Sequence, residues 1–313
     1  MVKIREESNK KEAEKKESDK EKIVNKEIGK KEIEKKEIKR KDIVNKEIGK
    51  KEAKVKASKG DEEDKIKFIQ TYIPGFDELL REGVPSGSAI IVEGGPGNGK
   101  TIFCLNLVKN MCERGKKVLF MSFEEPEARL RTHLKIFGAK PEEYEKKGLL
   151  YIKRFNALDI ARSVEALLSE AKKELLIDVQ PVLIPPEFQP DIVLIDSLSS
   201  ISSAFSGDGS RFRIYMEQLF RYLESHKITS FLIREGAAPT HVGNNFSEQG
   251  EAVSFLSDGI IVIYNVFYKT GFRKRAIEIL KMRGTNIDRK LVECEIVGGK
   301  GLVVYPKKML TGD

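Results

Sequence analysis

The chain has 313 residues and a formal net charge of +8, from 57 Lys and Arg against 49 Asp and Glu. Residues 1–60 carry 22 of the basic and 14 of the acidic residues, so the excess lies there and does not indicate a basic nucleic-acid-binding domain. The N-terminus lacks a hydrophobic signal core, and no apolar run reaches the roughly 18 residues of a membrane span, so we expect a cytoplasmic protein without a membrane partner.

Residues 1–65 are predicted to be a separate charged tail, and residues 66–313 a single domain. The segment KIVNKEIGKKE at residues 22–32 returns almost unchanged as DIVNKEIGKKE at residues 42–52, and isoleucines recur every five residues. A step of five residues turns a helix by about 140° from its starting direction, so no single apolar stripe forms. This pattern predicts a solvated tail that is disordered or transiently helical. The alternative is an adhesive arm for nucleic acid or another acidic partner.

An apolar strand at residues 89–92 leads into a glycine-rich turn that matches the phosphate-loop pattern G-x-x-x-x-G-K-[ST]. The glycines let successive backbone N–H groups point at phosphate oxygens, beside the positive end of the following helix. Lys100 is expected to bind the β- and γ-phosphates of ATP, and Thr101 to offer its hydroxyl to Mg²⁺. A glycine turn that binds nothing is disfavoured by the strand before it and the amphipathic helix after it. The predicted binding residues are Gly94, Gly95, Pro96, Gly97, Asn98, Gly99, Lys100 and Thr101.

Strands and helices then alternate along the chain. Strands are predicted at residues 118–123, 149–154, 191–196 and 228–233. Helices are predicted from the phosphate loop to about residue 115, and at residues 126–137, 157–176 and 212–226. Four consecutive β segments follow at residues 259–267, 272–283, 291–296 and 302–305. The order predicts an α/β fold with a mostly parallel sheet flanked by helices and a C-terminal antiparallel extension.

Three carboxylates lie where predicted strands end. Asp196 closes the apolar strand 191–196, the position of a magnesium-bridging acid in this class of site. Its alternative role is to cap a following turn. Glu124 and Glu125 follow the strand at 118–123, where either can orient and deprotonate a water aimed at the γ-phosphate. The alternative for this pair is a charge in the first turn of a helix.

Lys281 and Arg283 are predicted to share one face of a strand, because side chains alternate with a period of two. Two adjacent cations repel each other and so favour an anionic partner, although solvated surface charge is the commoner situation. The three histidines lack zinc-ligand spacing, and the three cysteines form no C-x-x-C pair, which predicts free core thiols in a reducing compartment.

Several segments together resemble the KaiC-like branch of the RecA superfamily of ATPases. They are, in chain order, TYIPGFDELL, GGPGNGKT, the acidic pair Glu124-Glu125, IVLIDS, LSDGIIVI and LKMRGT. The resemblance covers residues 67–307 and includes one phosphate loop, as in single-domain members. It implies a RecA-like fold, ATP and Mg²⁺ as ligands, and a homo-oligomer, commonly a hexameric ring, with ATP between neighbouring subunits.

The resemblance also implies roles for individual residues. Glu124 and Glu125 become the catalytic carboxylates and Asp196 the Walker B acid. Lys281 and Arg283 become the cations that reach the γ-phosphate of a neighbouring subunit.

Two positions depart from the family pattern, and one family feature has no match. Tyr72 stands where the family often has Gly, and Ile287 where it often has His, which concerns details of nucleotide contact. The family's autophosphorylated Ser/Thr pair has no counterpart, so no timekeeping role is implied. The serine pairs at residues 199–200 and 202–203 are interpreted as loop residues.

Three functions are compatible with these residues. The first is an oligomeric Mg²⁺-dependent ATPase with a regulatory or signalling role and an unidentified protein partner. The second is a RecA/RadA-like DNA-binding ATPase. Residues 236–258 contain no Lys or Arg, which argues against contact with a phosphate backbone there, whereas Arg211 and Arg213 keep that function open. The third is a nucleotide-sensing scaffold with negligible turnover.

Overall fold

A computed structural model describes residues 67–171, 184–185, 187–205, 209–236, 256–268 and 271–310, with only the backbone described at 166–171. The predicted tail, most of the 236–258 segment and the end of the helix predicted at 157–176 lie outside the described residues. No helix in the described part of the chain is long and apolar enough to cross a bilayer.

The described residues form a two-stranded sheet and a nine-stranded sheet. The small sheet pairs β1 (Phe68–Ile69) with β2 (Val84–Pro85). The strands of the large sheet are β3 (Ala89–Gly94), β4 (Val118–Ser122), β5 (Leu150–Arg154), β6 (Ile192–Asp196), β7 (Thr229–Glu235), β8 (Gly259–Phe267), β9 (Arg273–Met282), β10 (Val292–Val297) and β11 (Gly301–Met309).

Helices connect most of these strands. They are α1 (Lys100–Cys112), α2 (Glu127–Ile136), α3 (Pro141–Lys146), α4 (Ala157–Ala171), α5 (Leu198–Ala204) and α6 (Gly209–Ser225), with a short 3₁₀ helix at Asp77–Leu79.

The large sheet has the strand order β11-β10-β9-β8-β3-β7-β6-β4-β5. From β5 to β8 neighbouring strands are parallel, and from β8 to β11 they are antiparallel. This confirms the predicted α/β fold with its antiparallel extension. Parallel strands end at the same edge of a sheet, so the residues that follow β3, β4, β6 and β7 lie side by side.

Each face of the sheet is buried by its own set of helices. Alternate residues of β3 point to opposite faces, with Ile90 and Val92 in the core under α1, α2 and α3. Ile91 belongs to the core under α4, α5 and α6. Because β3 is central and covered on both faces, its end is held in place by apolar packing, and the phosphate loop begins there.

The interpretation of the serine pairs 199–200 and 202–203 as loop residues was wrong, because all four serines lie in α5. Leu198 and Ile201 are buried three residues apart on one side of this helix, and that packing outweighs the weak helix preference of serine. The Ser197 side chain caps the helix by accepting from the Ser200 N–H.

Two other elements also differ from the prediction. Helix α3 was not predicted. Strand β11 runs four residues beyond the predicted 302–305, through Pro306, because it is an edge strand and needs no backbone donor on its open side.

Strand β9 contains a β-bulge. Ile261 of β8 pairs with Ile279, whereas the adjacent Ile260 pairs with Lys281, so Leu280 is an extra residue in the ladder. Met282 packs in the same core as Ile277 and Ile279, although it is an odd number of residues away from both.

Candidate nucleotide-binding site

The predicted phosphate loop connects β3 to α1 and closes tightly against β8. Gly97 and Gly99 have φ angles of 72° and 107°, which favour glycine. At Gly94 the reason for glycine is space, since a Cβ there would lie 2.4 Å from the carbonyl oxygen of Ile263. The loop therefore owes its shape to backbone positions that a side chain would disturb.

Substitution of Gly94 by Ala should lower stability, because β3 and β8 would have to separate at their pairing point. We expect a loss of about 1–3 kcal/mol, in the range measured for overpacked interiors, seen as a lower melting temperature. Gly209→Ala is the matched control, since a Cβ at Gly209 would meet no atom of the described residues within 4 Å. Equal melting temperatures for the two variants would contradict this account of Gly94.

Asn98 anchors the middle of the loop to β8, a role that the sequence did not reveal. Its side-chain Nδ2 donates to the carbonyl oxygen of Ile263 over 2.6 Å, and its Oδ1 accepts from the amide of Asn265. From β9, the Arg275 guanidinium donates to the carbonyl oxygen of Gly97 over 3.4 Å. The phosphate loop is therefore held by hydrogen bonds on the side that faces β8 and β9.

Lys100 begins α1 and is nearly buried, with its Nζ donating to the carbonyl oxygen of Gly95 over 2.9 Å. Burial lowers the pKa of this amine, while the negative charges of Glu235, Asp196 and other carboxylates act to raise it. The amine is thus held within the loop by a neutral acceptor that a phosphate oxygen can replace.

Thr101 and Asp196 meet although they are 95 positions apart, because α1 starts beside the end of β6. The Thr101 hydroxyl donates to Asp196 Oδ2 over 2.8 Å. Asp196 is 4% exposed, and burial raises the pKa of its carboxyl to about 6, with Glu124 adding to the rise. The hydrogen bond from Thr101 and the charge of Lys100 oppose it.

This pair fits a hard cation. A buried carboxylate beside a hydroxyl offers oxygen ligands only, which are the ligands that Mg²⁺ prefers. Among the described residues no group of three or more His, Cys, Asp or Glu side chains forms a metal cluster. Mg²⁺ commonly takes one or two protein ligands and completes its shell with phosphates and water.

The two adjacent glutamates point to different surroundings. Glu124 lies in the cleft, where Oε1 accepts from the hydroxyl of Ser197 over 2.5 Å and from that of Ser200 over 3.0 Å. Glu125 lies with Oε2 3.3 Å from Nδ1 of His133 in α2, without the geometry of a hydrogen bond. Of the two, Glu124 is the carboxylate that faces the phosphate loop.

The side chains of Lys100, Thr101, Glu124 and Asp196 face one open cleft of about 270 Å³. It is lined by Pro96, Gly97, Gly99, Lys100, Thr101, Ile102, Glu124, Asp196, Ser197, Ile233 and Glu235. Glu235 and Ser197 were not predicted as site residues. The sequence contained a signal for Glu235, because it ends β7 next to β3, at the sheet edge where the other acids were placed.

Lys281 and Arg283 lie away from this cleft. Ile263 of β8 pairs with Gly94, whereas Ile260, three residues earlier in β8, pairs with Lys281. At ~3.3 Å per residue, Lys281 therefore lies about 10 Å from the level of Gly94, measured along the strands toward the start of β3. The Lys281 amine donates to the carbonyl oxygen of Ser257 over 2.5 Å. The Arg283 guanidinium lies 3.5 Å from Asp258 Oδ1. Within one chain, these cations and the phosphate loop are not brought together.

Comparisons with known proteins agree with this geometry. The protein-family model described as "ATPase: KaiC" matches residues 69–309. A UPF0273 protein of Thermotoga maritima is 28% identical over 251 residues, which cover 78% of this chain and 98% of that protein. The circadian clock protein KaiC3 of Synechocystis is 28% identical over 257 residues, but the match covers only 47% of its length.

A solved structure is similar over the same region. The crystal structure of a KaiC-like protein from Pyrococcus horikoshii has a TM-score of 0.61 and 29% identity, covering 77% of this chain and all of that one. With a family match over residues 69–309 and a sheet of the same architecture, this chain belongs to the KaiC family of ATPases and has its RecA-like fold.

Proposed function

We propose that the chain binds ATP and hydrolyses it with Mg²⁺, acting as a ring-shaped homo-oligomer, with a hexamer as the expected size and a regulatory or signalling role. The observation that carries this proposal is the convergence of Lys100, Thr101, Asp196 and Glu124 on one cleft. Phosphate binding, metal binding and water activation need these four kinds of side chain together.

Each side chain has a distinct task in the proposed reaction. Lys100 binds β- and γ-phosphate oxygens in place of the Gly95 carbonyl, and Thr101 and Asp196 hold Mg²⁺. The metal, when bound, neutralises charge on the phosphate oxygens. Glu124 orients a water and accepts its proton, while the water oxygen bonds to the γ-phosphorus and the bond from that phosphorus to the ADP oxygen breaks.

A neighbouring subunit supplies the remaining positive charge in this proposal. The cleft sets Lys100 among the carboxylates Glu124, Asp196 and Glu235, so an ATP-Mg²⁺ complex, itself negative, calls for more cations. Lys281 lies about 10 Å along the sheet from its own phosphate loop, and Arg283 follows it beyond the end of β9, further from that loop. That position is compatible with action on the next subunit and not on their own.

The DNA-binding alternative gains little from the described residues. Arg211 and Arg213 had kept it open, and both have acidic partners: Arg211 lies 2.7 Å from Glu165, and Arg213 pairs with Glu217 one helical turn away. Nucleic acid bound through the basic tail is retained only as an outcome of the test, as is a scaffold that binds ATP without turnover.

The test is phosphate release from ATP with and without Mg²⁺, at a series of protein concentrations, first without nucleic acid and then with added single-stranded DNA. We expect Mg²⁺-dependent release whose specific activity rises with protein concentration as sites between subunits assemble. ATP binding without phosphate release would favour the scaffold. Release that requires added single-stranded DNA would favour the DNA-binding ATPase.

Asp196→Asn should raise the Mg²⁺ concentration needed for tight nucleotide binding by about tenfold or more, because a neutral amide replaces the charged metal ligand. Binding of a fluorescent, non-hydrolysable ATP analogue is measured while Mg²⁺ is varied. The matched control is Asp191→Asn, the same change at the residue just before the same strand, next to Lys116 and outside the cleft. An unchanged Mg²⁺ requirement in Asp196→Asn would contradict the metal assignment.

A further inference from the structure

Helix α5 presents serine hydroxyls to the glutamate that faces the cleft. Ser197, the cap of this helix, donates to Glu124 Oε1 over 2.5 Å, and Ser200, in its first turn, donates to the same oxygen over 3.0 Å. In the part of the chain that the structure describes, no side chain donates to Oε2. One carboxylate oxygen is therefore held by two donors, and the other is available to a water.

The hydroxyl of Ser197 is engaged both as a donor and as an acceptor in this arrangement. A serine has one O–H donor and can also accept. The Ser197 oxygen accepts from the backbone N–H of Ser200 over 3.4 Å while its own proton goes to Glu124. Ser197 is 1% exposed, so solvent does not compete for it. The hydroxyl is fixed by the helix that it caps.

The same short helix also contacts the opposite wall of the cleft. The Ser199 hydroxyl accepts from the backbone N–H of Glu235, at the end of β7, over 2.8 Å. Helix α5, which follows β6, is therefore hydrogen-bonded both to Glu124, just after β4, and to Glu235, at the end of β7. Because Glu124 Oε1 accepts from the cap and first turn of this helix, the Glu124 side chain has lost much of its rotational freedom before any substrate binds.

We propose that Ser197 and Ser200 are positioning residues for ATP hydrolysis, which hold Glu124 so that Oε2 meets the attacking water. This inference deepens the proposed function and rests on it. Preorganisation matters because a misplaced base loses much of its effect on the rate, even when binding of the substrate is unchanged.

The variants that test it are Ser197→Ala and Ser200→Ala, with steady-state ATPase kinetics as the measurement. We expect each to lower kcat by about tenfold, the size of one lost hydrogen bond to a charged group, with KM unchanged. Ser200→Thr, which keeps the hydroxyl, should restore most of the rate. Ser203→Ala is the matched control on α5, because the Ser203 hydroxyl donates to the Ser199 carbonyl and not to Glu124.

A double-mutant cycle separates positioning from structural support. If the serines act through Glu124, Ser200→Ala should change kcat less than twofold in a Glu124→Gln background. A tenfold loss that persists in that background, or that also appears in Ser203→Ala, would overturn the proposal. Melting temperatures and ATP-analogue affinities of the Ser200 variants should match those of the unmodified protein. Ser197→Ala also removes the cap of α5 and should melt at a lower temperature, so the Ser200 variants decide the outcome if Ser197→Ala folds poorly.

Different results would overturn the ATPase function and the positioning role of the serines. An unmodified protein that releases no phosphate overturns the ATPase function and the positioning role together. An unmodified protein that hydrolyses ATP, with serine variants as fast as itself, overturns the positioning role only.

Discussion

Replacing Glu124 by Gln is expected to slow ATP hydrolysis by about 10²–10⁴-fold, the usual contribution of a general base. Glutamine has the shape of glutamate and its carbonyl oxygen can still accept from Ser197 and Ser200, so the fold and the cleft should be kept. What is lost is the ability to take a proton from water. Single-turnover phosphate release measures the chemical step, and binding of an ATP analogue shows that the nucleotide still enters.

Glu125→Gln is the control for this prediction, since the two residues are adjacent and the change is identical. The Glu125 carboxylate lies beside His133 and not against the two serines. We expect a clearly smaller loss of rate in Glu125→Gln. A larger loss there than in Glu124→Gln would mean that Glu125 is the base and that the assignment from the cleft geometry is wrong.

Arg283→Ala is expected to lower the ATPase rate by about three orders of magnitude, as loss of an arginine finger does in related phosphoryl transfers. The residue lies at the surface and contacts Asp258 in its own chain, so its removal should spare folding. Lys290→Ala provides a matched surface control, since Lys290 also pairs with an aspartate, Asp288, on a neighbouring part of the chain.

Mixing two inactive variants tests whether Arg283 acts on the next subunit. Lys100→Ala removes the phosphate contact but keeps Arg283, and Arg283→Ala keeps a complete phosphate loop. Co-expressed in equal amounts in a ring, about a quarter of the interfaces join an intact loop to an intact Arg283, so about a quarter of the activity should return. Recovery requires that the two residues serve one site from different chains. No recovery in demonstrably mixed oligomers would contradict the shared site.

Much of the fold was predictable because its signals are local. The strand and glycine pattern around Lys100 needs fewer than fifteen consecutive residues, and the change from alternating elements to successive strands at Gly259 indicates the antiparallel extension. Asp196 could be placed in the site because it ends an apolar strand, and parallel strands end together.

The parts that were missed depend on contacts between distant positions. Asn98 bonds to the backbone of Ile263, 165 positions away, and nothing near Asn98 in the sequence indicates this partner. The role of the serines has the same origin: Ser197 is 73 positions from Glu124. Polarity alone suggested a loop, whereas burial of Leu198 and Ile201 produced a helix that points hydroxyls at a carboxylate.

The bulge at Leu280 decides on which side of the sheet Lys281, near the end of β9, lies. Counted from Ile277, strict alternation would place Ile279 and Lys281 on the same face of the sheet, and that face is buried. The extra residue reverses the alternation, so that Met282 takes the interior position and Lys281 lies on the other face. A single extra residue thus keeps the charge of Lys281 out of the apolar core.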